Sequence, residues 1–199
     1  MSNVRSYTDK QILTRAKSTH GFKAIPTGYW LCGIRSTEDQ SDNYDDKFYL
    51  FKGETFICVT SGTTNPGKWG LLNFATYNPQ GCAVVKADEW YYDLWTQGLH
   101  KGKMKAWVQF SDILFYRDNN KNDKSEEIGK VYKGKIGINF HTCTYEKEPG
   151  ILKKFIGWII GKWSEGCQVV NGAYDYYKII ELTFVQPKMS YCLLKEFEP

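Results

Sequence analysis

No stretch of the chain reaches the ~18–20 consecutive apolar residues that a membrane-crossing helix requires. Met1 to Lys10 also lacks the apolar core of an export signal, so neither a membrane span nor a signal peptide is expected. Cysteines are few and scattered: Cys32, Cys58, Cys82, Cys143, Cys167 and Cys192 form no CxxC pair and no close, even spacing. That pattern excludes a secreted disulfide scaffold and predicts reduced thiols. Only three histidines occur, His20, His100 and His141, and just one adjoins a cysteine, in His141-Thr142-Cys143. A zinc site is short of ligands, and neither metal nor cofactor is expected. An excess of one charge is lacking too, because 26 Lys+Arg against 22 Asp+Glu leaves a formal +4 over 199 residues. No dominant basic face follows, so Lys101, Lys103 and Lys105 beside Trp107 read as a solvated strand edge, with no nucleic-acid partner. Internal repeats and low-complexity linkers are absent, which predicts one domain over 1–199.

What is abundant is aromatic: 14 Tyr, 11 Phe and 7 Trp make up 16% of the chain, an amount that suits strand-rich cores. Thr8 followed by Gln11 forms a capping box, and Ile12, Leu13 and Ala16 recur at helical spacing until Gly21, so residues 1–21 open with a short helix. Residues 28–141 read as β-rich. Strands are predicted at Tyr29 to Ile34, Lys47 to Phe51, Glu54 to Thr60, Gly81 to Val85, Lys105 to Phe110, Ile113 to Tyr116 and Lys135 to His141, with a hairpin turn at Lys52-Gly53. Residues 142–163 form a loop or lid insertion, whose apolar run 151–160 is expected to pack on the sheet as a helix. Ala173 to Phe184 has helix length and a strand follows from Met189 to Leu194, completing a 164–199 segment of turn, helix and strand. The fold class is α+β, mainly β: a mixed sheet or sandwich with two or three helices.

Asp118, Asn120 and Asn122 alternate as in calcium loops, but the central glycine and flanking helices are missing, so the run reads as a solvated loop. Five cysteines sit in or beside apolar strand runs, where a thiol acts as a small hydrophobe. Cys167 differs. It follows Gly166 in Trp163-Ser164-Glu165-Gly166-Cys167-Gln168, a setting where a sharp turn exposes sulfur and backbone N–H groups can meet an oxyanion. Such a thiol needs a base, and His141, at the end of Ile136 to Phe140, is the candidate.

Ile138-Asn139-Phe140-His141-Thr142, followed by Ile160 to Cys167 with its Ser164-Glu165-Gly166-Cys167, resembles the signature of the L,D-transpeptidase catalytic domain. In that family a strand-borne histidine is followed by a loop and then Ser/Thr-x-Gly-Cys. The resemblance implies that Cys167 forms a thioester with a peptidoglycan stem peptide and that His141 activates it. It further implies that the N–H groups of Gly166 and Cys167 make the oxyanion hole and that Ser164 braces the loop. Gln168, Trp163 and Thr142 would border the substrate, with Val169 standing where the family commonly carries Arg or Asn. The acceptor, amine or water, stays open. With no export signal, the expected source is a phage or prophage, the protein acting from a virion or after lysis. The alternative is a non-enzymatic virion or assembly protein, in contact with other virion proteins, that keeps the fold around a degenerate site.

Overall fold

The computed structural model describes residues 4–37, 41–146, 160–162 and 164–198. The capping box forms as the sequence predicts: Gln11 N–H donates to Thr8 Oγ1 at 3.3 Å and Thr8 N–H donates to Gln11 Oε1 at 2.8 Å, starting α1 (Asp9–Lys17). Two otherwise orphaned N–H groups are thereby satisfied. The helix turns Ile12 and Ala16 onto a cluster with Trp30, Phe51 and Trp90, and the Trp90 indole donates to Ala16 O.

Eight strands close into a barrel in the order β1, β11, β5, β6, β9, β10, β3, β2. Their ranges are β1 (Tyr29–Arg35), β2 (Asp46–Lys52), β3 (Thr55–Thr63), β5 (Glu89–His100), β6 (Met104–Gln109), β9 (Phe140–Thr142), β10 (Gln168–Val170) and β11 (Lys188–Lys195). β1 runs parallel to β11 and β9 parallel to β10, and the other pairs are antiparallel, so the sheet is mixed. It closes on itself where a two-layer sandwich was one expected form. β4 (Cys82–Val85), β7 (Ile113–Asp118) and β8 (Tyr132–Gly134) make a separate antiparallel sheet. With α2 (Lys68–Asn73) and α3 (Ala173–Thr183), three α-helices lie among the described residues.

The aromatic residues are largely core. Trp30, Trp95 and Trp107 are wholly buried, and each indole N–H reaches an acceptor: Gly53 O, Ile138 O and Thr183 Oγ1 respectively. A buried indole requires such a partner. Trp107 is therefore a core residue, with no ring face exposed beside Lys105.

Two expectations need correction. The strand predicted over 135–141 is reduced to Phe140–Thr142. The N–H groups of Ile136, Gly137 and Ile138 all donate to one atom, Gln109 Oε1, at 2.8–2.9 Å. Three successive amides aimed at a single acceptor cannot also alternate along a ladder. The twelve-residue β5, by contrast, has no counterpart among the predicted strands. Asp93 sits at φ 49° and the pairing with β11 shifts register between Met189 and Tyr191, so the buried residues Trp90, Tyr91, Leu94 and Trp95 lose the period of two that marks a strand. Among the described residues, no helix is long and apolar enough to cross a membrane. The insertion expected at 142–163 lies mostly on residues outside the described set.

Candidate active site

β9 and β10 run side by side with Val169 opposite His141, which carries Cys167, just ahead of β10, to the neighbourhood of the histidine. His100, the last residue of β5, completes the group. One ligand-capable atom from each of His100, His141 and Cys167 lies within 4.8 Å of the other two. Cys167 and His100 line a groove of about 520 Å³, while His141 lies beneath it with no exposed surface.

Hydrogen bonds set the proton positions. His141 Nδ1 lies 2.8 Å from Thr142 O. A carbonyl only accepts, so the neutral ring carries its proton on Nδ1 and a lone pair on Nε2. His100 is the converse. Gln109 N–H donates to Asn139 Oδ1 at 2.9 Å, which orients the amide, and Asn139 Nδ2 then donates to His100 Nδ1 at 3.2 Å. The His100 proton is therefore on Nε2. Both Nε2 atoms are buried and neither has a hydrogen-bond partner among the described residues. An unmet buried polar atom costs about 1–3 kcal/mol, so two in one place mark a site rather than a packing accident.

Burial dominates the titration of all three groups. It pushes His141 down to about 3, with His100 and Lys101 adding to the effect and the Thr142 hydrogen bond opposing it. His100 is pushed down to about 4 for the same first reason, and Lys101 again contributes. The Cys167 thiol is pushed up to about 11 by burial, against the pull of the Asn139 backbone N–H and Lys101. At neutral pH the resting group is thus a thiol beside two neutral imidazoles, and the thiol donates to Gly137 O at 3.5 Å. Cys82 lines the same groove but is almost wholly buried, outside the histidine cluster, and is pushed up to about 12.

A metal ion fits this arrangement poorly. The two imidazoles stack with centroids 3.9 Å apart and planes 21° apart, so a zinc held at about 2 Å from a nitrogen of each would lie far out of both ring planes. His100 Nε2 also presents a proton and not a lone pair.

The turn bearing Cys167 is held from three sides. Ser164 Oγ accepts from Gly166 N–H at 3.2 Å and lies 2.8 Å from Asn65 O and 2.9 Å from Cys167 O, and Gly67 N–H donates to Ser164 O. Ser164 thus braces the turn against the Thr64–Gly67 segment. Gly166 is at φ 119°, and a Cβ there would meet Ala83 O at 2.5 Å. Its N–H is committed to Ser164, so of the two amides expected for the oxyanion hole only that of Cys167 is without a partner among the described residues.

The residues expected to border the substrate fare differently. Gln168 has no exposed surface: its Oε1 accepts from Tyr191 Oη at 2.6 Å and its Nε2 lies 3.3 Å from both Thr64 O and Gly166 O. It cannot contact substrate and instead ties the turn to the barrel. Thr142 is buried too, its hydroxyl donating to Val170 O, so its part is to hold the His141 ring through its carbonyl. Trp163 lies outside the described residues. Tyr191→Phe, which strands Gln168 Oε1, should lower stability by about 1–3 kcal/mol in urea denaturation; an unchanged midpoint would deny Gln168 its bracing role.

Sequence reasoning missed His100 and Asn139, for no local pattern distinguishes either. It also missed the charge of the groove, where Lys101, Arg117 and Lys162 stand against Glu165. No family model, curated protein or solved structure matches the chain.

Proposed function

We propose that this protein is a cysteine acyl-transfer enzyme of the L,D-transpeptidase type, acting on peptidoglycan stem peptides through Cys167 and His141. The observation that carries the reading is the His141 ring. It is held by Nδ1–H to the Thr142 carbonyl, its Nε2 lone pair is buried and without a partner among the described residues, and a nitrogen of the ring lies within 4.8 Å of the groove-lining Cys167 sulfur. That is the arrangement a general base needs beside a nucleophile.

The resting thiol is neutral, so deprotonation accompanies attack. Nε2 of His141 takes the Sγ proton as sulfur bonds to the acyl carbon, and the Cys167 N–H is the free amide for the resulting oxyanion. Collapse breaks the peptide C–N bond, and the leaving amine takes the proton back from His141. An amine or water then attacks the thioester by the same route in reverse. The surplus of cations around the groove suits a substrate that carries carboxylates, as stem peptides do.

A second reading, a non-enzymatic virion or assembly protein with a degenerate site, draws on the thiol being held protonated by burial. One experiment separates the two. Incubation with muropeptides followed by peptide-resolved mass spectrometry should find an acyl adduct on Cys167 and new cross-linked or trimmed products, both lost in Cys167→Ala. No turnover, together with Cys167 alkylation no faster than at the other five cysteines, would leave the structural reading.

A further inference from the structure

We infer that His100 is a further catalytic residue, a neutral imidazole whose Nε2–H donates a hydrogen bond to the charge that develops on Cys167 sulfur when His141 removes its proton. The inference rests on the acyl-transfer reading and adds a role for a residue that the nucleophile–base pair does not use.

The Gln109 backbone N–H fixes which end of the Asn139 amide is oxygen, and Asn139 Nδ2 in turn occupies His100 Nδ1. The ring has one proton and it is on Nε2. That donor is buried and finds no acceptor among the described residues, and a nitrogen of the His100 ring lies within 4.8 Å of Cys167 Sγ and of a His141 nitrogen. His141 Nε2 does not accept from it, because the two rings are stacked and a hydrogen bond would have to run in the ring planes. A thiol sulfur is a weak acceptor and a thiolate a strong one. The donor is therefore unmet in the ground state and met once the proton has moved, which is the differential interaction that accelerates a step.

The protonation states agree. His100 is pushed down to about 4 and stays neutral at working pH, so it donates without adding a positive charge beside an imidazolium forming on His141. The proton balance is simple: Sγ loses its proton to His141 Nε2, the electron pair stays on sulfur, and His100 keeps its own proton throughout. Lys101, Arg117, Lys162 and Glu165, the charged residues lining the groove, are untouched by the test below.

The competing role for His100 is that of a wedge, a flat ring that keeps His141 in place. His100→Phe keeps the stacking surface and removes the donor, whereas His100→Gln returns an N–H. The measurement is the pH profile of Cys167 alkylation by iodoacetamide, resolved peptide by peptide, together with kcat and KM on muropeptides. A folded His100→Phe should need about one pH unit or more of extra alkalinity to reach half-maximal alkylation. Its kcat should fall about tenfold to a hundredfold with KM little changed, and His100→Gln should recover part of both. A wild-type profile in folded His100→Phe overturns the donor role and leaves acyl transfer standing. A shifted profile in a protein without any turnover upholds the hydrogen bond and removes the enzyme reading. If His100→Phe does not fold, His100→Gln and His100→Ala decide: a shifted profile in His100→Ala that His100→Gln brings back toward the wild type supports the donor, and equal profiles in the two variants overturn it.

Discussion

His141→Asn is expected to lose acyl transfer by about a hundredfold to ten-thousandfold, the usual worth of a positioned general base, while becoming less sensitive to acid. Both effects come from the same burial. The wild-type ring is neutral in the folded state down to about pH 3, whereas in the unfolded chain it takes up a proton near its ordinary 6.5. Between those limits the unfolded chain binds the extra proton, so falling pH removes stability, at up to about 1.4 kcal/mol per pH unit for one fully withheld proton. Above pH 6.5 the term vanishes. From pH 7.5 to 4.5 His141 therefore accounts for about 2–3 kcal/mol of lost stability, which the asparagine variant escapes while its amide can still donate to Thr142 O. His100, also pushed down, leaves the variant some acid sensitivity. Urea midpoints at the two pH values provide the check, and equal acid losses in both proteins would mean that His141 is not buried in its neutral form.

This coupling of stability to mechanism bears on how much of the site was readable beforehand. Cys167 and His141 were legible because each sits in a short local pattern, a glycine turn and a strand end. The bracing part of Ser164 came instead from the family resemblance carried by Ser164 to Cys167. The capping box at Thr8 and the hairpin turn, expected at Lys52-Gly53 and formed by Gly53-Glu54, are as local as the glycine turn, since their physics is complete within four or five residues. His100 carries no such signal. It ends a strand whose alternation is broken by the bulge at Asp93, and it meets His141 only because β5, β6, β9 and β10 are consecutive in the closed barrel. Gln168 was misread for a related reason: beside the nucleophile a polar side chain suggests substrate, yet the inward phase of β10 delivers it to Tyr191 and Thr64. Lys135 to Asn139 looked like strand by composition, and what displaced the ladder was one distant carboxamide, Gln109. Local chemistry was visible, whereas whatever depends on which strands become neighbours was not.

Gly166→Ala should remove activity more completely than its stability loss alone would explain. At φ 119° an L side chain is strained by about 1–3 kcal/mol wherever it occurs, and here the new Cβ would also lie 2.5 Å from Ala83 O, 3.1 Å from Ile138 Cδ1 and 3.2 Å from Ala83 Cβ. The isoleucine tip can move. The Ala83 carbonyl cannot do so easily, because its strand is paired along its length with β7, Ala83 opposite Arg117. The turn must therefore give way, and with it the hydrogen bond from Gly166 N–H to Ser164 and the contact of Gln168 with Gly166 O. A shift of about 1 Å at a reacting atom is enough to cost about a hundredfold. Gly129→Ala is the matched control, since its φ of 78° is also left-handed but nothing lies within 4 Å of the added carbon. That variant should lose only about 1–2 kcal/mol and keep full activity. Urea unfolding and Cys167 alkylation measured on both variants divide strain from displacement: Gly166→Ala should show the larger stability loss and an altered alkylation profile while still folded. Equal behaviour of the two would mean that the Cys167 turn is not held against β4, and the rigid placement of the nucleophile would fall with it.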